Sequence, residues 1–224
     1  MKKIGLIGGT SPESTLLYYR HLIDLSRENL PENVYPEILI YSVNFEFVVS
    51  SMREGKLERV AEKFNEILKI FESAGVQIAA LTANTMHLLF DMLKTDIEMV
   101  HIVDSVARYA KEKGYKRLVL FGTKRTMESD LYPSRLEGNG IEIMVPLPEH
   151  REKINDIIFE ITAKGVNEDL KSRALEIAKI YVREGDAIIL GCTELPLVLK
   201  DSGMEVIDTV EVHARDIFER AVKG

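Results

Sequence analysis

The sequence predicts an α/β protein of two similar halves, each a parallel sheet flanked by helices, with a cleft between them. Three observations carry this expectation. Residues Ala187–Gly191 are apolar or small throughout, the pattern of a strand buried on both faces. This run ends in Cys192-Thr193-Glu194, at a strand's carboxyl end, where open parallel sheets place their ligands. The run Gln77–Thr82 has the same design and leads into Ala83-Asn84-Thr85-Met86-His87. Landmarks then recur in order, 113 residues apart for Thr10/Thr123, 109 for Ala83/Cys192 and 104 for Asp104/Asp208. Such an internal duplication sets the domains at 1–103 plus 209–224 and at 104–208.

Taken in order, Lys2–Gly9 reads as a strand running into a glycine turn, and Ser11 caps a helix with Pro12 at its first position. Leu16, Leu17, Leu22, Ile23 and Leu25 carry that helix to about Asn29, and Pro31 and Pro36 bracket a loop before a strand at Glu37–Val43. Gly55 breaks the next segment. Leu57–Ala74 is an amphipathic helix on Val60, Phe64, Ile67, Leu68 and Phe71, closed by Gly75. The Gln77–Thr82 strand follows, then a helix over about Thr85–Lys94 and a short strand at Met99–Val103 that ends at Asp104. The second half opens with a strand at Arg117–Thr123 and a helix start at Thr126–Asp130, and continues with a strand at Ile141–Val145. Helices at Ile154–Ala163 and Asp169–Arg183 precede the Ala187–Gly191 strand, and Glu205–Asp208 leads to a last helix, Val210–Val222.

Composition narrows the partners. With 224 residues, 46% hydrophobic and 29% charged, the chain has the make-up of a soluble globular protein large enough for a full core. A net charge of -7 argues against nucleic acid and against an anionic membrane surface. No run nears the roughly 18 apolar residues of a membrane span, and Met1-Lys2-Lys3 opens a strand rather than an export signal. One cysteine leaves no internal disulfide or multi-cysteine metal site, and the five histidines show no HxxxH or HxH spacing. The expected location is the cytoplasm. The single glutamine, Gln77, beside abundant Lys and Glu points to a thermophilic source.

Several residues offer chemistry, each with a plainer reading beside it. Gly8-Gly9-Thr10 lacks the third glycine of a dinucleotide fingerprint, yet it sets N–H groups and hydroxyls at a helix start, a site for a carboxylate or simply a turn. Asn84-Thr85 and Thr193-Glu194 either grip a carboxylate or cap the helices that they begin. Cys192 is an inert small residue or, beside a helix N-terminus that favours thiolate, a functional thiol. Asp104 and Asp208 read as caps, His101 as a half-buried strand residue and Lys164 as a surface lysine.

Gly8-Gly-Thr-Ser-Pro-Glu-Ser-Thr15, Ala83-Asn-Thr-Met-His87 and Gly191-Cys-Thr-Glu194 together resemble the aspartate/glutamate racemase superfamily. Gly122-Thr-Lys-Arg-Thr-Met-Glu128 and Lys153-Ile-Asn-Asp-Ile-Ile-Phe-Glu160 resemble its L-aspartate/glutamate-specific branch. The resemblance spans the whole chain. It implies two α/β domains around a cleft, no cofactor, no metal, a homodimer, and a small acidic amino acid or dicarboxylate as ligand. It also implies one cysteine from each half facing the α-carbon from opposite sides. Cys192 matches the second of these; the first falls on Ala83, which transfers no proton, where the closest branch has threonine. The partner acid or base then falls to Thr85 or a held water. Thr82 is expected to point away from that side. Hydroxyl and N–H donors at strand ends, those of Thr10, Asn84, Thr85, Thr126 and Thr193, are expected to hold the ligand with Ala83 and Glu194 beside them, and Lys164 falls where some aspartate racemases keep a lysine for the side-chain carboxylate. The implied activity is cofactor-independent racemisation of aspartate or glutamate. The alternatives are a one-cysteine decarboxylase or isomerase of small dicarboxylates, and a catalytically silent carboxylate binder.

Overall fold

The computed structural model describes residues 1–223. The first half runs β1 (Ile4–Gly8), α1 (Pro12–Asn29), β2 (Ile38–Ser42), α2 (Phe45–Arg53), α3 (Leu57–Ser73), β3 (Ile78–Leu81), a 3-10 helix (Asn84–Met92) and β4 (Glu98–Val100). The second runs α4 (Ile102–Lys113), β5 (Arg117–Phe121), α5 (Lys124–Glu128), α6 (Leu131–Glu137), β6 (Glu142–Met144), α7 (Pro148–Lys164), α8 (Glu168–Tyr181), β7 (Ala187–Leu190), α9 (Pro196–Leu199) and β8 (Val206–Asp208), followed by α10 (Thr209–Lys223). The chain separates into two compact units, Met1–Ile102 with the chain from His213 onward, and Val103–Val212.

Each unit holds one four-stranded sheet, in the orders β2-β1-β3-β4 and β6-β5-β7-β8. Every pairing is parallel. The two orders are the same, as a duplicated sequence requires. Burial explains why the inner strands read so clearly. β1, β3, β5 and β7 are buried at every position, because helices cover both faces. The outer strands β2 and β6 are only partly covered.

In the first unit α3 lays Val60, Phe64, Ile67, Leu68 and Phe71 on the sheet with Ile7, Ala79 and Leu81. Burial of each such large side chain is worth about 1.5–3 kcal/mol. In the second unit a buried ion pair ties strand starts together: the Arg117 guanidinium meets Asp186 and also donates to the Tyr181 carbonyl. Asp186 in turn accepts from Arg183 N at 2.7 Å.

Four expectations need correction. The Met99–Val103 strand stops at Val100, and α4 starts at Ile102, because Ile102, Val103, Val106, Ala107 and Ala110 form one buried helical face. His101 is therefore a buried residue at a strand-to-helix junction. Asp104, in the first turn of α4, pairs with Arg135 rather than capping. The helix expected at Thr85–Lys94 is a 3-10 helix over Asn84–Met92. A helix not anticipated, α2, starts where Asn44 Oδ1 accepts from Glu46 N at 3.0 Å.

Candidate active site

In a sheet of order 2-1-3-4 the chain reverses direction of progression between its first and third strands, and ligands collect outside the carboxyl ends at that point. In the first unit this point lies between β1 and β3, where the sequence-predicted Thr10, Ala83, Asn84 and Thr85 emerge. In the second it lies between β5 and β7, where Thr126, Cys192, Thr193 and Glu194 emerge. Each unit thus brings its own set of these residues to its own strand ends.

The first set is built on a hydroxyl network. Gly9 turns the chain with φ +86, and a Cβ there would lie 2.3 Å from the Val43 carbonyl oxygen, so only glycine fits. Gly9 N donates to Thr15 Oγ1 at 3.0 Å, and Thr15 Oγ1 lies 3.1 Å from Thr82 Oγ1. Ser14 Oγ donates to the Thr82 carbonyl at 2.6 Å. The loop after β1 is thereby fastened to the end of β3. Thr82 points into this network, away from solvent, and is not available for proton transfer. Thr10 is only 9% exposed, and its Oγ1 has no hydrogen-bond partner among the described residues. A buried hydroxyl left unmet costs free energy, and a polar ligand at this loop recovers it. Ala83 and Asn84, with Thr85, are half-buried, and His87 Nδ1 lies 3.0 Å from the Ala83 carbonyl oxygen.

His87 belongs to a cluster that the sequence did not announce. Its ring lies 4.8 Å from that of His101 and 5.5 Å from that of His213, centroid to centroid. His213 Nε2 lies 3.0 Å from the Val100 carbonyl oxygen and Nδ1 lies 2.6 Å from Tyr18 Oη. The carbonyl accepts only, so Nε2 carries the proton and Nδ1 receives the tyrosine hydroxyl. Burial pushes this imidazole down to about 3 and keeps it neutral.

The second set is arranged around the thiol. Gly191 N donates to the Phe121 carbonyl at 2.7 Å, and a Cβ at Gly191 would come within 3.0 Å of that oxygen, so glycine lets the strand ends close up. Cys192 follows directly and is half-buried. Its Sγ donates to Glu194 Oε2 at 2.7 Å. Thr193 Oγ1 donates to the same oxygen at 3.1 Å, and Thr162 Oγ1 of α7 lies 3.3 Å from Glu194 Oε1, with the Ile158 carbonyl its nearer acceptor at 2.9 Å. Thr162 was not singled out from sequence; its place two residues before Lys164 was the only signal.

The expected thiolate is not what this geometry favours. Burial and the Glu194 carboxylate push the Cys192 thiol far up, because both penalise a second negative charge. Nor does Cys192 stand at a helix N-terminus, since α9 starts only at Pro196 and is four residues long. Thr193 and Glu194 therefore lie in a turn and begin no helix. Thr126 is fully buried, its Oγ1 3.0 Å from that of Thr123, which caps α5. Lys164 is exposed in the last turn of α7. Among the described residues no group of three or more His, Cys, Asp or Glu is placed to hold a metal ion.

The Asp/Glu/Hydantoin racemase family profile matches residues 7–217. The chain belongs to this family. It is an amino-acid racemase by class, an isomerase. The racemase is 41% identical to an aspartate racemase homologue from Pyrococcus horikoshii OT3, with a TM-score of 0.85, covering 99% of this chain and 100% of that one. A Yersinia pestis structure assigned to the Asp/Glu racemases is 31% identical with a TM-score of 0.92, covering 99% and 100%. The broad specificity amino-acid racemase RacX of Bacillus subtilis (strain 168) is 25% identical over 213 residues, 92% of each chain. Among the described residues no helix of the racemase is long and apolar enough to cross a membrane.

Proposed function

We propose that this racemase inverts small acidic amino acids, aspartate or glutamate, by moving the α-proton without a cofactor, with Cys192 as the acid/base. The observation that carries this reading is the half-buried thiol at the carboxyl end of β7, at the strand ends where such sheets place ligands. Within its own unit, Thr10 is a buried hydroxyl whose capacity is unmet, which suits a polar ligand at that loop. Thr193 and the backbone of Asn84 are further donors suited to carboxylate oxygens, and Lys164, exposed at the end of α7, is a cation of suitable charge for a side-chain carboxylate.

An α-proton of an amino acid is very weakly acidic. Its removal needs a base held within hydrogen-bond reach, and donors on the carboxylate to take up charge as the carbanion forms. Inversion then needs a proton from a second donor, for which Thr85 is our assignment, since Ala83 has none to give. Ala83 itself favours a second reading. A single thiol suits a reaction with one protonation on one face, such as decarboxylation of a malonate-type acid. We take the working form to be a homodimer in the cytoplasm; a single species of one chain mass in sedimentation would count against the dimer.

Incubation of the protein in D₂O with L- and D-aspartate and glutamate, followed by NMR and chiral chromatography, separates the readings. Racemisation gives deuterium at Cα with inversion, and Cys192→Ala abolishes it. Exchange with retention supports one-thiol chemistry. Binding seen by calorimetry with no exchange at all would defeat the racemase reading, and malonate-type acids that release no CO₂ on incubation would defeat the decarboxylase reading.

A further inference from the structure

The first unit leaves one sheet edge unguarded. A strand at the rim of a sheet presents unpaired N–H and C=O groups, and proteins blunt such rims by keeping the strand short or by placing charge on it. Among the described residues three of the four outer strands follow that rule: β4, β6 and β8 are three residues long and carry Glu98, Glu142 and Asp208. β2 does not. It has five residues, Ile38-Leu39-Ile40-Tyr41-Ser42, with no charge, proline or bulge among them, and it pairs on one side only, with β1. The apolar surface continues beside it. Helix α1 turns Ser14, Tyr18 and Leu22 inward, yet Leu16, Tyr19 and Ile23 form a second stripe at i, i+3 and i+7. With Tyr35 and Ile38 that stripe lines a groove of about 720 Å³. Leu16 is 64% exposed and Ile40 42%, so the first unit does not cover this face with its own chain.

We propose that this edge is where two copies of the chain meet, β2 antiparallel to β2 about a two-fold axis beside Ile40. The proposal rests on the homodimer reading and gives it an interface. Three observations select a second copy over another occupant. A two-fold interface presents the same patch twice, so the strand must complement itself. Centred on Ile40 it does: Ile40 meets Ile40, Leu39 meets Tyr41 and Ile38 meets Ser42, with no charge set against its like. The helix stripe is covered by the same operation. Ile38 and Ile40 point to the α1 face of the sheet, while Leu39 and Tyr41 pack toward α3. An axis normal to the sheet keeps each face on its own side, so the two α1 helices lie together and shield Leu16, Tyr19 and Ile23. A lone extended peptide would pair with the strand and leave that stripe wet. Charge agrees as well. Helix α1 carries Glu13 in its first turn and Arg27 in its last, and an antiparallel copy lays acid beside base at both ends. The two four-stranded sheets then form one continuous sheet of eight strands, with β2 no longer at an edge.

Sedimentation at micromolar concentration should give two chain masses for wild type. Ile40→Lys sets two like charges against each other at the axis and should weaken the dimer about 10²-fold or more, with far-UV circular dichroism unchanged. Phe159→Lys, at an exposed apolar side chain of α7, should leave the mass unaltered. Ile40→Cys tests the geometry without charging the strand. Residues directly opposite in an antiparallel pair have Cα atoms about 4.5–5.5 Å apart, within disulfide reach. In a Cys192→Ala background it is the only thiol, and diamide should convert the protein to a covalent dimer, read by intact mass. A dimer that keeps its mass in Ile40→Lys and does not cross-link through Ile40→Cys would overturn this face and spare the homodimer reading. A wild type of one chain mass would overturn both, and would leave the edge to a strand from another protein.

Discussion

Ala83→Cys restores a thiol where the resemblance implies one, and its consequences are calculable. Ala83 has φ -141 and ψ 133, ordinary extended backbone, so cysteine enters without strain. The site is half-buried against the core of its unit, and the change adds one soft atom. Overpacking costs about 1–3 kcal/mol at most. A positioned acid or base is worth about 10² to 10⁴ in rate, or about 2.7–5.4 kcal/mol of barrier. If the missing donor limits inversion, the variant should racemise aspartate or glutamate at least about 10²-fold faster than wild type. Chiral chromatography of quenched time points measures this, with thermal melts confirming equal folding and calorimetry equal binding. A folded, ligand-binding Ala83→Cys protein with no gain over a slow wild type would refute the idea that a lost donor limits the rate. If wild type is already fast, Thr85→Val is the next variant, and it should then slow inversion.

Two further predictions concern stability. His213, neutral in the fold at about 3 against about 6.5 when unfolded, faces Tyr18, His87, His101 and Arg220 and takes up no proton near neutrality. Acid therefore protonates the unfolded chain preferentially, so this stability is whole above about pH 6.5 and is lost as pH falls toward 3, by about 2 kcal/mol at pH 5. Urea melts at pH 7 and pH 5 should show this loss in wild type and a smaller one in His213→Leu; equal losses would exclude His213 as the cause. Asp186→Asn takes from the buried Arg117 its buried counter-charge and leaves it only the largely exposed Glu142 carboxylate at 3.2 Å, so it should cost about 3 kcal/mol, the low end for breaking a buried pair, or roughly 6–12 °C in Tm by calorimetry. A shift below 2 °C would show that the pair is not needed.

The inner strands were legible because burial on both faces leaves an unbroken apolar run, as in Ala187–Leu190. The repeated order of landmarks then implied one sheet order twice. The three-residue strands were not legible to their ends. Ile102 and Val103 carry β-branched side chains, yet with Val106, Ala107 and Ala110 they make the buried face of α4, so helical spacing outweighed local preference. The candidate residues were found because they follow strands. Their protonation states were not, because these depend on neighbours that sequence order conceals. Thr162 reaches Glu194 from a helix 32 residues earlier. The field at Cys192 was misjudged for a similar reason. Helix α9 was expected to begin beside the thiol, but Pro196 fixes its start beyond the turn and leaves Glu194 as the nearest charge. A carboxylate in contact makes the thiol a poor thiolate, an effect that only the folded turn reveals.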